Sequence, residues 1–206
     1  MISLLIDTCT NNVVIGLLKD KIIIDQRNDI NDKSLSTNFT VWVKELLDRN
    51  NLAPKDINTI FVAVGPGSFT GIRVGVTFAK VLAWSLNIKV VPFSSLELLA
   101  STSDSDVIVP LIDARRDYVF AGIYDKNLNS FMEDKYILLN DLQEELTKYQ
   151  NTEFISLDQF DFDTIKPNVA ITKIVEKHFL DEGINPHSLN PNYLKRTEAE
   201  EKLAGE

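Results

Sequence analysis

The sequence predicts an α/β protein built as two lobes, and three observations carry that expectation. Short apolar runs separated by turns open the chain, the apolar spacing then changes to three and four, and paired apolar runs begin again after a polar stretch near residue 101. At 206 residues, 44% hydrophobic and 25% charged, the chain can bury a real core as one large domain or two small lobes.

The elements follow in order. Residues 2–7 are an apolar run ending at Asp7, and residues 12–19 resume with Val13, Val14, Ile15, Leu17 and Leu18. A third run over 21–26 follows Lys19-Asp20-Lys21, so the opening reads as a three-stranded antiparallel meander. Over 36–50, Phe39, Val43, Leu46 and Leu47 recur at helical spacing beside Trp42, an amphipathic helix that Asn51 and Pro54 end. A buried strand over 59–64 leads into Gly65-Pro66-Gly67-Ser68-Phe69-Thr70-Gly71, and a second, more apolar helix follows over 72–86. A strand at 89–92 and a helix near 95–101 complete this half. The polar run Ser101 through Asp106 reads as an exposed connection, dividing an N-terminal lobe, residues 1–106, from a smaller C-terminal lobe and tail, residues 107–206. There, 107–113 and 119–124 form a hairpin and 141–149 a short helix. Residues 186–196 are irregular and 197–206 a charged tail. A three-strand opening followed by alternating helices and strands, then a second paired start, suggests a duplicated architecture without a residue-level repeat.

The formal net charge of −9 disfavours direct capture of a nucleic-acid backbone, which needs clustered Lys and Arg. Cys9 is the single cysteine and cannot form an internal disulfide, and the start lacks the basic leader and cleavage pattern of a secreted protein. No uninterrupted apolar run reaches the roughly 20 residues of a membrane span. A soluble, cytoplasmic protein without a membrane association is expected.

The glycine loop is the most informative stretch. Gly65, Gly67 and Gly71 allow a sharp turn from a buried strand into a helix, which aims free amides at an anion or serves simply as a tight structural turn. A Walker loop would place Lys after the last glycine, where Ile72 stands, and a hydrolase elbow would place glycines where Pro66 and Thr70 flank Ser68. Asp7 and Thr8 end the first strand, and Asp113 ends the first strand of the second lobe. These two carboxylates either flank a metal-bound nucleotide, as in an actin-like ATPase or small-molecule kinase, or make local turn contacts, Asp113 with Arg115 among them. Two distant histidines, His178 on a helix surface and His187 in a loop, supply no zinc site, so no metal and no cofactor are expected. The 72–86 helix carries Val74, Val76, Phe78, Val81, Leu82 and Trp84, an apolar surface wider than one stripe. Core packing or a partner interface would account for the excess.

Together, Ile6-Asp7-Thr8, the run from Val64 through the glycine loop to Ile72-Arg73, Ile112-Asp113-Ala114-Arg115 and the late Asn192-Tyr193-Leu194 resemble the TsaB family over nearly the whole chain. The resemblance implies two ribonuclease-H-like lobes of the actin-like/Hsp70-like (ASKHA) type. It implies a non-catalytic scaffold in threonylcarbamoyl modification of adenosine 37 in ANN-decoding tRNA, working with the catalytic paralogue TsaD and the ATPase TsaE and meeting tRNA only indirectly. The paralogue's His-x-x-x-His metal pair corresponds here to Ser95 and Leu99, neither of which replaces an imidazole, so no catalytic residue is expected. Asp7, Thr8, Gly65, Gly67, Ser68, Gly71 and Asp113 then outline a vestigial nucleotide cleft. Phe39, Val43 and Leu47, with Val74, Phe78 and Val81, would form a helical bundle with the paralogue, or a homodimer when the chain is alone. A peptidase, a label related proteins have carried, lacks both the metal pair and a Ser-His arrangement. Many relatives begin the first long helix with His-Ser, where this chain has Leu35-Ser36, and the short chain implies a trimmed second lobe.

Overall fold

The computed structural model describes residues 1–30 and 34–195, so the expected charged tail at 197–206 lies outside the described residues. The opening meander is β1 (Ile2–Asp7), β2 (Asn12–Lys19) and β3 (Ile22–Ile30). After α1 (Leu35–Arg49), β4 (Thr59–Ala63) joins β1 in parallel, and α2 (Phe69–Leu86) crosses over to β5 (Lys89–Phe93) beside β4. The sheet order is β3-β2-β1-β4-β5, with β1 and β4 buried because helices cover both faces.

After α3 (Ser95–Ala100), the pattern repeats. β6 (Val107–Asp113), β7 (Tyr118–Tyr124) and β8 (Ser130–Leu138) form a second antiparallel meander. α4 (Leu139–Leu146) then leads to β9 (Thr152–Ser156), parallel to β6. The order β8-β7-β6-β9 reproduces the first four strands of the other sheet, and the fifth has no counterpart. Two such lobes constitute the actin-like architecture expected above.

Three features depart from the sequence reading. β3 runs to Ile30, beyond the expected end at 26, because its polar half is an edge: Arg27 lies 4.4 Å over the Trp42 ring and ion-pairs with Asp29 at 2.9 Å. β8, β9 and α5 (Ile171–Lys177) carry too few contiguous apolar residues to be foreseen. The run 101–106 is not a loose connection either. Ser101 is buried and accepts from the Ala170 N–H at 2.9 Å, while the Ser103 hydroxyl donates to Glu153 at 2.5 Å.

The chain recrosses after β9. Ile171 packs under Gly16 of β2, where any side chain would strike its Cδ1, and Ile171, Ile174, Val175 and Leu189 join the core that contains Leu4 and Ile60. The same core reaches Ile108, Phe120 and Tyr124 of the second sheet, so the lobes share apolar packing. Polar pins reinforce it. The Ser94 and Tyr124 hydroxyls both donate to Asp134, and Glu97, 6% exposed at its side chain, takes Lys177 at 2.7 Å and His178 at 3.0 Å. His178 is thus an anchored helix-end residue: burial alone would lower its pKa, but the Glu97 carboxylate raises it overall. By length and composition α2 is the one helix among the described residues that could cross a membrane. Its buried stripe of Gly71, Ile72, Gly75, Val76, Ala79 and Ala83 packs on the first sheet, as a core helix does.

If the returning segment is part of one cooperative unit, Ile174→Ala costs about 2–5 kcal/mol. Urea unfolding read by tryptophan fluorescence and by circular dichroism then gives one coincident transition. Two separated transitions would contradict the shared core.

Candidate functional site

The glycine loop is fixed where β4 ends. Gly65 and Gly67 adopt φ of 115° and 150°, values that L side chains rarely take, which lets the chain turn sharply toward α2. Ser68 caps that helix, its hydroxyl accepting from the Gly71 N–H at 3.3 Å. The loop's inner side lies directly on the turn after β1. The Ser68 N–H donates to the Cys9 carbonyl at 2.6 Å and the Thr8 hydroxyl to the Gly71 carbonyl at 2.7 Å. A Cβ at Gly67 would run into the Cys9 carbonyl, and one at Gly71 into the Thr8 carbonyl. On the other side Ser95 donates its hydroxyl to the Pro66 carbonyl and its N–H to the Gly65 carbonyl. Ser95 therefore pins the loop.

What stays open is a recess of about 400 Å³ between the lobes, with Gly67, Ser68, Leu99, Asp113, Arg115 and Asp158 among its lining. Of the expected cleft residues, Gly67, Ser68 and Asp113 line it. Asp7, 2% exposed, Thr8 and Gly71 are buried behind the loop, and Gly65 faces Asn192 instead; those four do not belong to the open cleft. The physical reason is the direct packing of loop on turn, which leaves Asp7, Thr8 and Gly71 no open face.

Asp7 accepts the Cys9 N–H at 2.7 Å, and burial pushes its carboxyl up to about 6. Burial first, and the Asp7 charge second, hold the Cys9 thiol well above its ordinary value. Asp113 is exposed and accepts from the Arg115 N–H at 2.8 Å, while its own N–H donates to Asp158 at 2.8 Å. Burial, then the nearby Asp113 charge, raises the Asp158 carboxyl despite that hydrogen bond. Asp158 follows β9, and nothing in its sequence spacing marks it. Among the described residues no group of three His, Cys, Asp or Glu side chains is placed to hold a metal. Leu99 presents an apolar surface to the recess and offers no ligand atom.

A larger feature lies outside the cleft. The exposed faces of α1 and α2 bound a groove of about 880 Å³ whose lining includes Phe39, Phe69, Arg73, Val74, Phe78 and Val81. Phe39 and Phe78 meet edge to face at 5.1 Å. Val81 is 58% exposed and Trp84, one turn on, 63%. The expected interface set needs correction here. Val43 and Leu47 are buried in this chain's own core at 3% and 2% exposure and do not line the groove. Phe39, 1% exposed, serves only as its floor. Amphipathic spacing located an apolar face on α1 but could not say that the chain's own sheet covers it.

The buried Asp7 gives a signed test. Below about pH 4 it is protonated whether the chain is folded or not. Between about 4 and 6 the unfolded chain loses the proton that the folded chain keeps, so stability falls through that window and levels above it. Asp7→Asn should remove this penalty, adding on the order of 2–3 kcal/mol at pH 7 relative to wild type. Urea unfolding at pH 4 and 7 checks it; an equal difference between the proteins at both values would contradict it.

The family model of TsaD, tRNA N6-adenosine threonylcarbamoyltransferase, matches residues 29–200. The chain is 36% identical over 223 residues to the tRNA threonylcarbamoyladenosine biosynthesis protein TsaB of Bacillus subtilis (strain 168), covering 98% of this chain and 97% of that protein. The TsaB of Buchnera aphidicola subsp. Acyrthosiphon pisum (strain APS) is 31% identical over 109 residues, 50% of this chain and 49% of that one. Among solved structures, a Pseudomonas aeruginosa protein described as similar to the peptidase YEAZ superposes with a TM-score of 0.79 at 20% identity. It covers 94% of this chain and 99% of its own, and supports the fold alone. With these matches and its two-sheet topology, the chain belongs to the TsaB family, within the wider group that the TsaD family model describes.

Proposed function

We propose that this chain is a non-catalytic scaffold for threonylcarbamoyl transfer to adenosine 37 of ANN-decoding tRNA, acting by complexing a TsaD-type catalytic paralogue. The pathway follows from the names of its relatives. The observation that carries the scaffold role is a contrast: the glycine loop is packed shut on residues 7–9, while an apolar groove on α1 and α2 lies open.

The docking surface is the corrected set, Val74, Phe78 and Val81 above a floor of Phe39. Full burial of a side chain of this size is worth about 1.5–3 kcal/mol, which Val81 could contribute most completely, with the still exposed parts of Val74 and Phe78 adding less and Phe39 already buried. The paralogue's matching helices would complete a bundle there, and a second copy of this chain would occupy the groove when the paralogue is absent. A TsaE-type ATPase joins the assembly, tRNA is met through it, and the site of action is the cytoplasm. We also place the domain boundary between residues 106 and 107, where one sheet gives way to the other, with 168–195 returning to the first lobe. An actin-like ATPase or small-molecule kinase would need Asp7 and Asp113 to face one bound nucleotide, and the burial of Asp7 argues against it.

Reconstitution with the paralogue and TsaE from the same organism tests the proposal. Transfer to tRNA should require this chain, survive Asp113→Asn, and fall at least about tenfold with Val81→Glu, a substitution at an exposed position that leaves the fold intact. Loss of transfer in Asp113→Asn with the complex still formed would overturn the scaffold reading.

A further inference from the structure

Arg73 is the one charged side chain among those lining the α1/α2 groove. Its guanidinium is held in place. Cζ lies 4.0 Å over the Phe69 ring, Nε donates to the Tyr193 hydroxyl at 3.0 Å, and the Tyr193 ring stacks on Phe69 at 4.7 Å. Tyr193 is fixed in turn by its neighbours. The Asn192 N–H donates to the Val64 carbonyl at 2.7 Å, and the Lys195 ammonium sits 5.1 Å over the Tyr136 ring of the second sheet.

One face and Nε of the guanidinium are therefore occupied, yet its two terminal nitrogens have no hydrogen-bond or ion-pair partner among the described residues. No acidic side chain among the described residues answers this cation. A guanidinium held this way offers a rigid pair of donors shaped for a carboxylate, and ordering it upon binding costs little because the stack has already ordered it.

We propose that Arg73 is the polar anchor of the docking groove and receives, on its terminal nitrogens, a carboxylate carried by an apolar helix of the partner. The inference rests on the docking reading above and adds the chemistry that would select the partner. The apolar walls, Val74, Phe78 and Val81, match an apolar helix face, while the single cation at the end of the groove fixes that helix's register. It also places the segment 192–195 in the recognition site, because Tyr193 orients the anchor. A phosphate could satisfy the same fork, but the walls beside it offer a nucleic-acid backbone no further cation.

The test is calorimetric titration of the purified catalytic paralogue into full-length variants of this chain. Arg73→Gln should weaken binding about tenfold and Arg73→Glu more. Arg73→Lys should recover only part of the loss, because an ammonium lacks the fork. Tyr193→Phe, which keeps the stack and loses the hydroxyl, should weaken binding by about two- to fivefold with an unchanged melting temperature. One carboxylate on the paralogue's docking helices, changed to Arg, should restore affinity to Arg73→Glu. If Val81→Glu abolishes binding while Arg73→Glu binds as wild type, docking stands and the anchor falls. If both variants bind normally, both proposals fail. A loss that no charge swap restores, or Arg73-dependent binding of tRNA by the isolated chain, would overturn the carboxylate assignment.

Discussion

Two hydrogen bonds organise this protein's centre: the Ser68 N–H to the Cys9 carbonyl, and the Thr8 hydroxyl to the Gly71 carbonyl. They close the seam between the turn after β1 and the loop after β4, and they exist because Gly67 and Gly71 carry no Cβ to hold the two backbones apart. The seam sets where α2 begins and brings its Gly75 against Thr8. That placement leaves Val81 exposed on the outer face of α2, with Val74 and Phe78 only partly covered among the described residues. A phosphate-binding loop needs its amides free. Here the Ser68 amide is engaged by the Cys9 carbonyl and the Gly71 amide by the Ser68 hydroxyl, which leaves fewer amides to meet an anion.

The second consequence concerns how the lobes are joined. In a nucleotide-driven actin-like protein, the cleft would be expected to open and close around its ligand. In this chain the lobes share apolar core and are pinned where the Ser94 hydroxyl donates to Asp134 and the Lys177 ammonium to the Leu128 carbonyl at 2.6 Å. Glu97, buried and bonded to both Lys177 and His178, would be left under-paired by loss of either partner. A frame held in this way suits a scaffold, which must present a fixed surface.

Strongly periodic segments were legible from sequence because their burial leaves a pattern: β1, β2, α1, β4 and β6 all lie within a residue or so of where their apolar runs place them. The polar half of β3 and the Glu133-Asp134-Lys135 stretch of β8 were not, since edge strands can face water on more than one side. α5 shows Ile171, Ile174 and Val175 at helical spacing, but seven residues give periodicity little to work with. The glycine loop announced itself, whereas its being sealed did not, because closure depends on which carbonyl each glycine meets. Asp158 came to the recess through tertiary placement alone. On α1 the spacing of Phe39, Val43 and Leu47 identified an apolar face without saying that the chain's own sheet covers it.

If this chain acts through its surface, the recess that remains between the lobes takes no nucleotide. Calorimetric titration of magnesium ATP into the isolated chain addresses it most directly. The account predicts no saturable heat up to millimolar nucleotide. Stoichiometric binding in the micromolar range, abolished by Asp113→Asn, would contradict it.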